Sequence, residues 1–167
     1  MKTVIVLAMH GSLPHDFPRA ELGEFFALHA RYEASEPGVP LDRYTSLEDK
    51  LRRWPRTPDN DPFHAASYEL AQVLSQECSL EVIVGFNEFC APDMETALAQ
   101  AVEQGAGRII VVTTMMTRGG EHAEREITLA VARGRQSYPD VEIIYAWPFE
   151  TAAVARFLAG HIQGFTA

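Results

Sequence analysis

Four short runs of aliphatic and β-branched residues recur along the chain without the apolar–polar alternation of a half-exposed strand: TVIVLAM (3–9), LEVIVGF (80–86), RIIVVTTMM (108–116) and VEIIYAW (141–147). A strand that is apolar on both faces must be covered on both faces, which is the condition of a parallel sheet between layers of helix. Helical periodicities fill the intervals. Leu22, Phe25, Phe26 and His29 form one apolar stripe; Phe63, Ala66, Leu70, Val73 and Leu74 a second; Met94, Ala97, Leu98, Ala101 and Val102 a third, with Pro92 in its first turn. Ile127, Ala130 and Val131 continue the series, and Val154, Phe157, Leu158 and His161 close it. Parallel neighbours need crossover connections. The expected fold is therefore α/β, a three-layer sandwich with a four-stranded parallel sheet, in one domain over residues 1–167.

One segment breaks the rhythm. Residues 34–62 are rich in proline and charge, with a possible short helix at 46–54 and Asp61-Pro62 reading as the cap and first turn of the next helix. Having little to bury, this insertion is expected to be a surface excursion, a mobile cover over the ends of the strands.

A net charge of −9 and a pI near 5.1 speak against nucleic acid or an anionic membrane as partner, since both call for a basic footprint. No run of about 18 apolar residues occurs, nor a leader with a small-residue cleavage site, so a cytoplasmic protein is expected. Cys78 and Cys90 are too few for a disulfide framework and lack metal-ligand spacing.

In a parallel sheet the loops after each strand share one rim, and ligands bind there. The first loop holds His10, Gly11, Ser12 and His15, the second Asn87, Glu88 and Cys90, the third Arg118, Gly119, Gly120, Glu121 and His122. Each has an ordinary reading alone: a hydrogen-bonded strand-end histidine, or an acidic residue at a helix start. Two histidines and a carboxylate arriving from three strand ends make a donor set that suits a borderline divalent metal. His29 and His161, on apolar stripes, are expected at the edge of the core, and His64 in solvent.

VIVLAMHGS, VIVGFNEFCAPDMETAL and GAGRIIVVTTMMTRGGEHAEREI resemble, in order and spacing, the three successive motifs of class II chelatases of the CbiX type, the small sirohydrochlorin cobalt and iron chelatases. The resemblance covers residues 1–12 and roughly 63–160. It implies a chelatase-like fold and an enzyme, a lyase that inserts a divalent metal (cobalt, iron or nickel) into a sirohydrochlorin-type tetrapyrrole in cobalamin or siroheme biosynthesis. The metal is substrate, no organic cofactor is implied, and the chain would work as a homodimer. His10, Glu88 and His122 would be metal ligands and catalytic groups, with Glu126 behind them where the family usually has aspartate. Arg118, Arg52 and Arg53, with Ser12 and Arg56, would meet substrate carboxylates. The chain departs from the family in its longer connection after the first motif and in Thr114-Met115-Met116, where a proline-leucine-phenylalanine stretch is typical.

Two other readings compete. A carrier of metal or tetrapyrrole would use the same ligands without turnover. A phosphoryl-transfer enzyme with a strand-end histidine would need cationic clamps, and Met9 precedes His10 with no GxxxxGK loop present.

Overall fold

The first strand, β1 (Lys2–Met9), is the centre from which the molecule is built, and Val4 through Met9 are all buried. In the computed structural model, which describes residues 1–166, its parallel neighbours are β2 (Glu81–Phe86) and β3 (Ala106–Thr113), and β4 (Glu142–Tyr145) lies beyond β3. The order β2-β1-β3-β4 places the strands reached next on opposite sides of β1, so the crossovers diverge there. Strand β3 ends at Thr113, three residues before the sequence suggests, because its hydroxyl accepts a bond from the Met115 N–H (3.2 Å) and turns the chain.

Alternate residues of the strands feed two different layers. Val4, Val6, Ala8, Ile83, Ile109, Val111 and Ile143 pack under helices α4 (Met94–Glu103) and α5 (Ile127–Ser137). Leu7, Met9, Val84 and Phe86 face the other way, toward Ala71 of α3 (Pro62–Cys78). Caps set the helix starts: Asp93 accepts from Thr96 N–H (2.8 Å), so Pro92 stands before the cap of α4 rather than in its first turn, and Asp61 accepts from His64 N–H (3.0 Å) with Pro62 opening α3. This is the expected α/β sandwich, with its sheet parallel throughout.

The insertion is not the sparse excursion its composition suggests. Helix α2 (Leu41–Arg52) is longer than the expected 46–54 turn and packs antiparallel-hairpin fashion on α1 (Arg19–Glu33). Tyr44, Leu47 and Leu51 meet Phe17, Phe25 and Leu28 in a small core of their own, with Leu47 and Leu51 all but sealed from solvent. Three apolar residues spaced i, i+3, i+7 are enough for a helical face, and the prolines stand outside it.

Two apolar stripes point elsewhere than periodicity suggests. On α3 the buried positions are the small Ser67 and Ala71, while Phe63, Leu70 and Val73 remain 39–48% exposed. The sheet takes the stripe that permits close approach, and the larger one faces out. The last helix, α6 (Thr151–Gln163), buries none of its residues; Phe157, Leu158 and Ile162 are at least half exposed, and His161 sits beside Phe165 in the open rather than at the core edge. His64, expected in solvent, is half-buried and stacks on Phe86 with centroids 5.2 Å apart. His29 does sit at a core edge, its Nδ1 3.0 Å from the Tyr44 hydroxyl.

Candidate metal centre

Each rim loop delivers one donor. His10 follows β1 directly, and Gly11 (φ +112°) turns the chain so close to the next loop that a Cβ would lie 1.9 Å from the Glu88 carbonyl oxygen. Only glycine fits there. The ladder between the first two strands also runs on past their ends: Asn87 N–H donates to the Met9 carbonyl (2.9 Å) and Glu88 N–H to the His10 carbonyl (3.0 Å). Glu88 is thereby fixed beside His10, with its Oε1 2.7 Å from His10 Nδ1.

His122 arrives from the long loop after β3, at the head of a single π-helical turn (His122–Glu126) that leads into α5. Such a turn carries an extra residue and re-aims the side chains it bears. Its Nε2 lies 4.0 Å from the same Glu88 oxygen, and its ring meets that of His10 edge to face, centroids 4.3 Å apart. One donor atom from each of His10, Glu88 and His122 falls within 4.8 Å of the other two. Ligands at about 2.0–2.2 Å from a tetrahedral metal stand roughly 3.3–3.6 Å apart, so the His10–Glu88 pair opens and His122 closes in as the three take an ion.

Glu126 secures the third ligand from behind. Its Oε2 is 2.8 Å from His122 Nδ1 and also receives the Asn87 amide. With Nδ1–H donated to the carboxylate, the Nε2 lone pair faces Glu88 and His10. Burial raises the Glu126 carboxyl, but the hydrogen bonds from His122 and Asn87 outweigh it and hold the pKa below the ordinary range. For His122, burial opposes the charged ring, yet the bond to Glu126 and the charges of Glu126, Glu88 and Glu121 prevail and its pKa is raised. Burial pushes the Glu88 carboxyl up, against the pull of the two imidazoles.

Glu88 and His122 open onto a cleft of about 410 Å³ whose opposite wall is the α1–α2 hairpin, through Phe25, His29, Tyr44 and Leu51. Glu33, Glu48, Glu121 and Glu126 join Glu88 around it, with Arg52 the cation among its lining residues. Arg52 is partly occupied, donating to Glu48 (3.1 Å) and to the Cys90 carbonyl (3.3 Å). The other anticipated substrate contacts lie elsewhere. Arg53 is largely exposed outside the cleft, beside Asp49. Arg118 is exposed on the loop before His122 and is absent from the cleft wall. The Ser12 hydroxyl donates to buried Asp61, and Arg56 is itself buried against Asp61. His15 is exposed and outside the donor cluster.

Glu33 and Glu48 are the members of this site that the sequence does not single out, and Asn87 is marked there only as a neighbour in the second rim loop. Asn87 stands next to Glu88, but nothing local marks its amide as a partner of Glu126, and the two glutamates reach the cleft only through the folding of the hairpin.

Residues 59–158 match the family model for CbiX, a span that takes in β2, β3, β4 and the loops bearing Glu88 and His122. The chain belongs to the CbiX family. Over 66 residues it is 33% identical to a sirohydrochlorin ferrochelatase of Priestia megaterium, a match spanning 40% of this chain and 24% of that protein. The matched part is thus about a quarter of the curated relative's length. The putative cobalamin biosynthesis CbiX protein of Marinobacter aquaeolei is similar in fold, with a TM-score of 0.53 at 16% identity, covering 97% of this chain and 95% of that one. SirB of Bacillus subtilis, solved with Fe3+, aligns over the whole of this chain and 48% of its own length, with a TM-score of 0.50 and 20% identity. The CbiX fold is therefore carried here on a chain about half as long as SirB.

Proposed function

We propose that this CbiX chain is a metal chelatase, inserting cobalt, iron or nickel as the divalent ion into a sirohydrochlorin-type tetrapyrrole. The observation that carries the reading is the open cluster of His10, Glu88 and His122 at the sheet's rim, with Glu126 and Asn87 orienting His122. Three protein ligands leave coordination positions free, which is what an ion that must be passed on requires. Insertion replaces the two pyrrole N–H protons by the metal, so two protons leave for each ion delivered. In the metal-free site His10 Nδ1 and Glu88 Oε1, 2.7 Å apart, share a hydrogen bond. The incoming ion breaks it, and as the ring nitrogens take the ion the freed imidazoles and Glu88 receive the pyrrole protons and pass them to solvent. Glu88 supplies the anion that offsets the metal's charge.

The negative cleft suits a hydrated cation and repels a ring bearing several carboxylates. We assign the cleft to the metal and the open rim to the tetrapyrrole, with exposed Arg118 as the cation that meets its carboxylates and Arg52 at the cleft wall as a second contact once it leaves Glu48. The chain acts as one chelatase-like domain over residues 1–167, with an insertion at about 34–62 whose helix α2 packs on α1. Its surroundings are those of a reducing compartment, the cytoplasm, which suits the exposed free thiol of Cys78. The working unit is a homodimer, for which the uncovered apolar face of α6 is the support.

The test is absorbance-monitored insertion with purified protein, offering each metal in turn to sirohydrochlorin. The wild type turns over repeatedly; His122→Ala loses metal binding and insertion while staying folded; Glu126→Ala weakens metal affinity on the order of 10- to 100-fold. Binding without any insertion would make the protein a carrier, and undiminished metal affinity in His122→Ala would remove that residue from the site.

A further inference from the structure

Arg56 is a buried cation, and what it engages is the backbone around the metal ligands. Its side chain is 5% exposed and pairs with Asp61, which is 1% exposed. Nη1 donates to the Ser12 carbonyl (2.8 Å), two residues after His10, and Nη2 to the Phe89 carbonyl (2.7 Å), adjacent to Glu88. Nη2 also donates to the Leu51 carbonyl (2.9 Å) in the last turn of α2. Asp61 completes the knot by accepting from the Ser12 hydroxyl and from His64 N–H, and Cys90 lies fully buried against it.

We infer that Arg56 is a positioning residue for the metal centre: it fastens the His10 loop, the Glu88 loop and the helical insertion to one another, so that the insertion sets the spacing of two of the three ligands. This rests on the metal-centre reading above. Two further facts favour a geometric role over a merely stabilising one. A buried ion pair contributes little net stability once its desolvation is counted, so stability alone does not account for this one. The contact at Gly11 also leaves no slack between the two loops, so a shift in either carbonyl that Arg56 holds moves His10 or Glu88. Lysine could neutralise Asp61 but could not span three carbonyls in one plane.

The experiment uses the full-length metal-free protein and Co2+ alone as probe, reading affinity and the visible absorption of bound cobalt, which reports the arrangement of its ligands. Two variants separate geometry from folding. Arg56→Lys keeps the charge, and Arg56→Leu combined with Asp61→Leu removes the ion pair without leaving a buried charge. The expected result is a folded protein by circular dichroism whose cobalt spectrum is altered and whose affinity falls 10- to 100-fold, the span typical of partners that orient ligands. Addition of guanidinium to a folded Arg56→Ala protein should move the spectrum back toward wild type. A spectrum and affinity within about twofold of wild type in either folded variant would overturn the inference, as would failure of both variants to fold, since Arg56 would then serve the fold alone. If instead wild-type protein shows no cobalt spectrum that His10→Ala abolishes, the metal-centre reading itself fails, whatever Arg56 does.

Discussion

Asp61 is a carboxylate shut away from water whose charge is nevertheless retained. Burial alone would raise its pKa, but the hydrogen bonds from Ser12, the His64 N–H and Arg56 overcome that and lower it from 3.8. A group whose folded pKa is depressed contributes stability that is present above its unfolded value and is lost as pH falls through the folded one. The wild type should therefore lose this contribution only below pH 3.8, and Asp61→Asn should lack that acid limb while being destabilised at neutral pH by about 3–5 kcal/mol, because Arg56 is left buried without its counter-charge. Urea titrations at a series of pH values check both parts; an unchanged acid limb in the variant would place the titrating group elsewhere. At this scale the site was largely legible. His10, Glu88 and His122 each follow an apolar strand, and a parallel sheet brings such positions to one rim. Arg56 was not legible, because a charge in DKLRRWPR reads as solvated until the fold shows which of its neighbours closes over it.

Among the elements, α2 shows why composition is a poor guide to burial. Its charged residues and flanking prolines hide a face of Tyr44, Leu47 and Leu51 that closes a second small core. Leu47→Ala should cost about 2–5 kcal/mol, the usual range for emptying a fully buried leucine site. The loss should loosen the hairpin before the sheet, so hydrogen exchange would speed up in α1 and α2 while β1 stays protected; uniform deprotection would mean that the hairpin is an inseparable part of the main core. For α3 and α6 the sequence revealed which residues form a stripe but not what covers it. Periodicity is a property of one helix, whereas coverage belongs to the surface opposite, and α3 carries two adjacent apolar faces of which the sheet can accept one.

At the scale of the molecule, α6 leaves Phe157, Leu158 and Ile162 at least half exposed, an apolar face of the kind that marks an interface in solution. The outward stripe of α3 and the partly exposed Ile144 on β4 are further apolar surface left uncovered. A symmetric dimer that covers these faces should appear in analytical ultracentrifugation, and Phe157→Glu with Ile162→Glu should shift it to monomer without unfolding the sheet, since neither residue is buried in the single chain. Monomeric wild type at micromolar concentration would rule that assembly out. The ring of glutamates around the cleft has a consequence in kinetics. An approaching cation is drawn along the field of those charges and a polyanionic macrocycle is slowed by it, so screening at a Debye length of about 8 Å acts on the two reactants in opposite directions. Raising the ionic strength should slow the encounter with metal and hasten the encounter with the ring, and the fastest overall turnover should fall at an intermediate salt concentration.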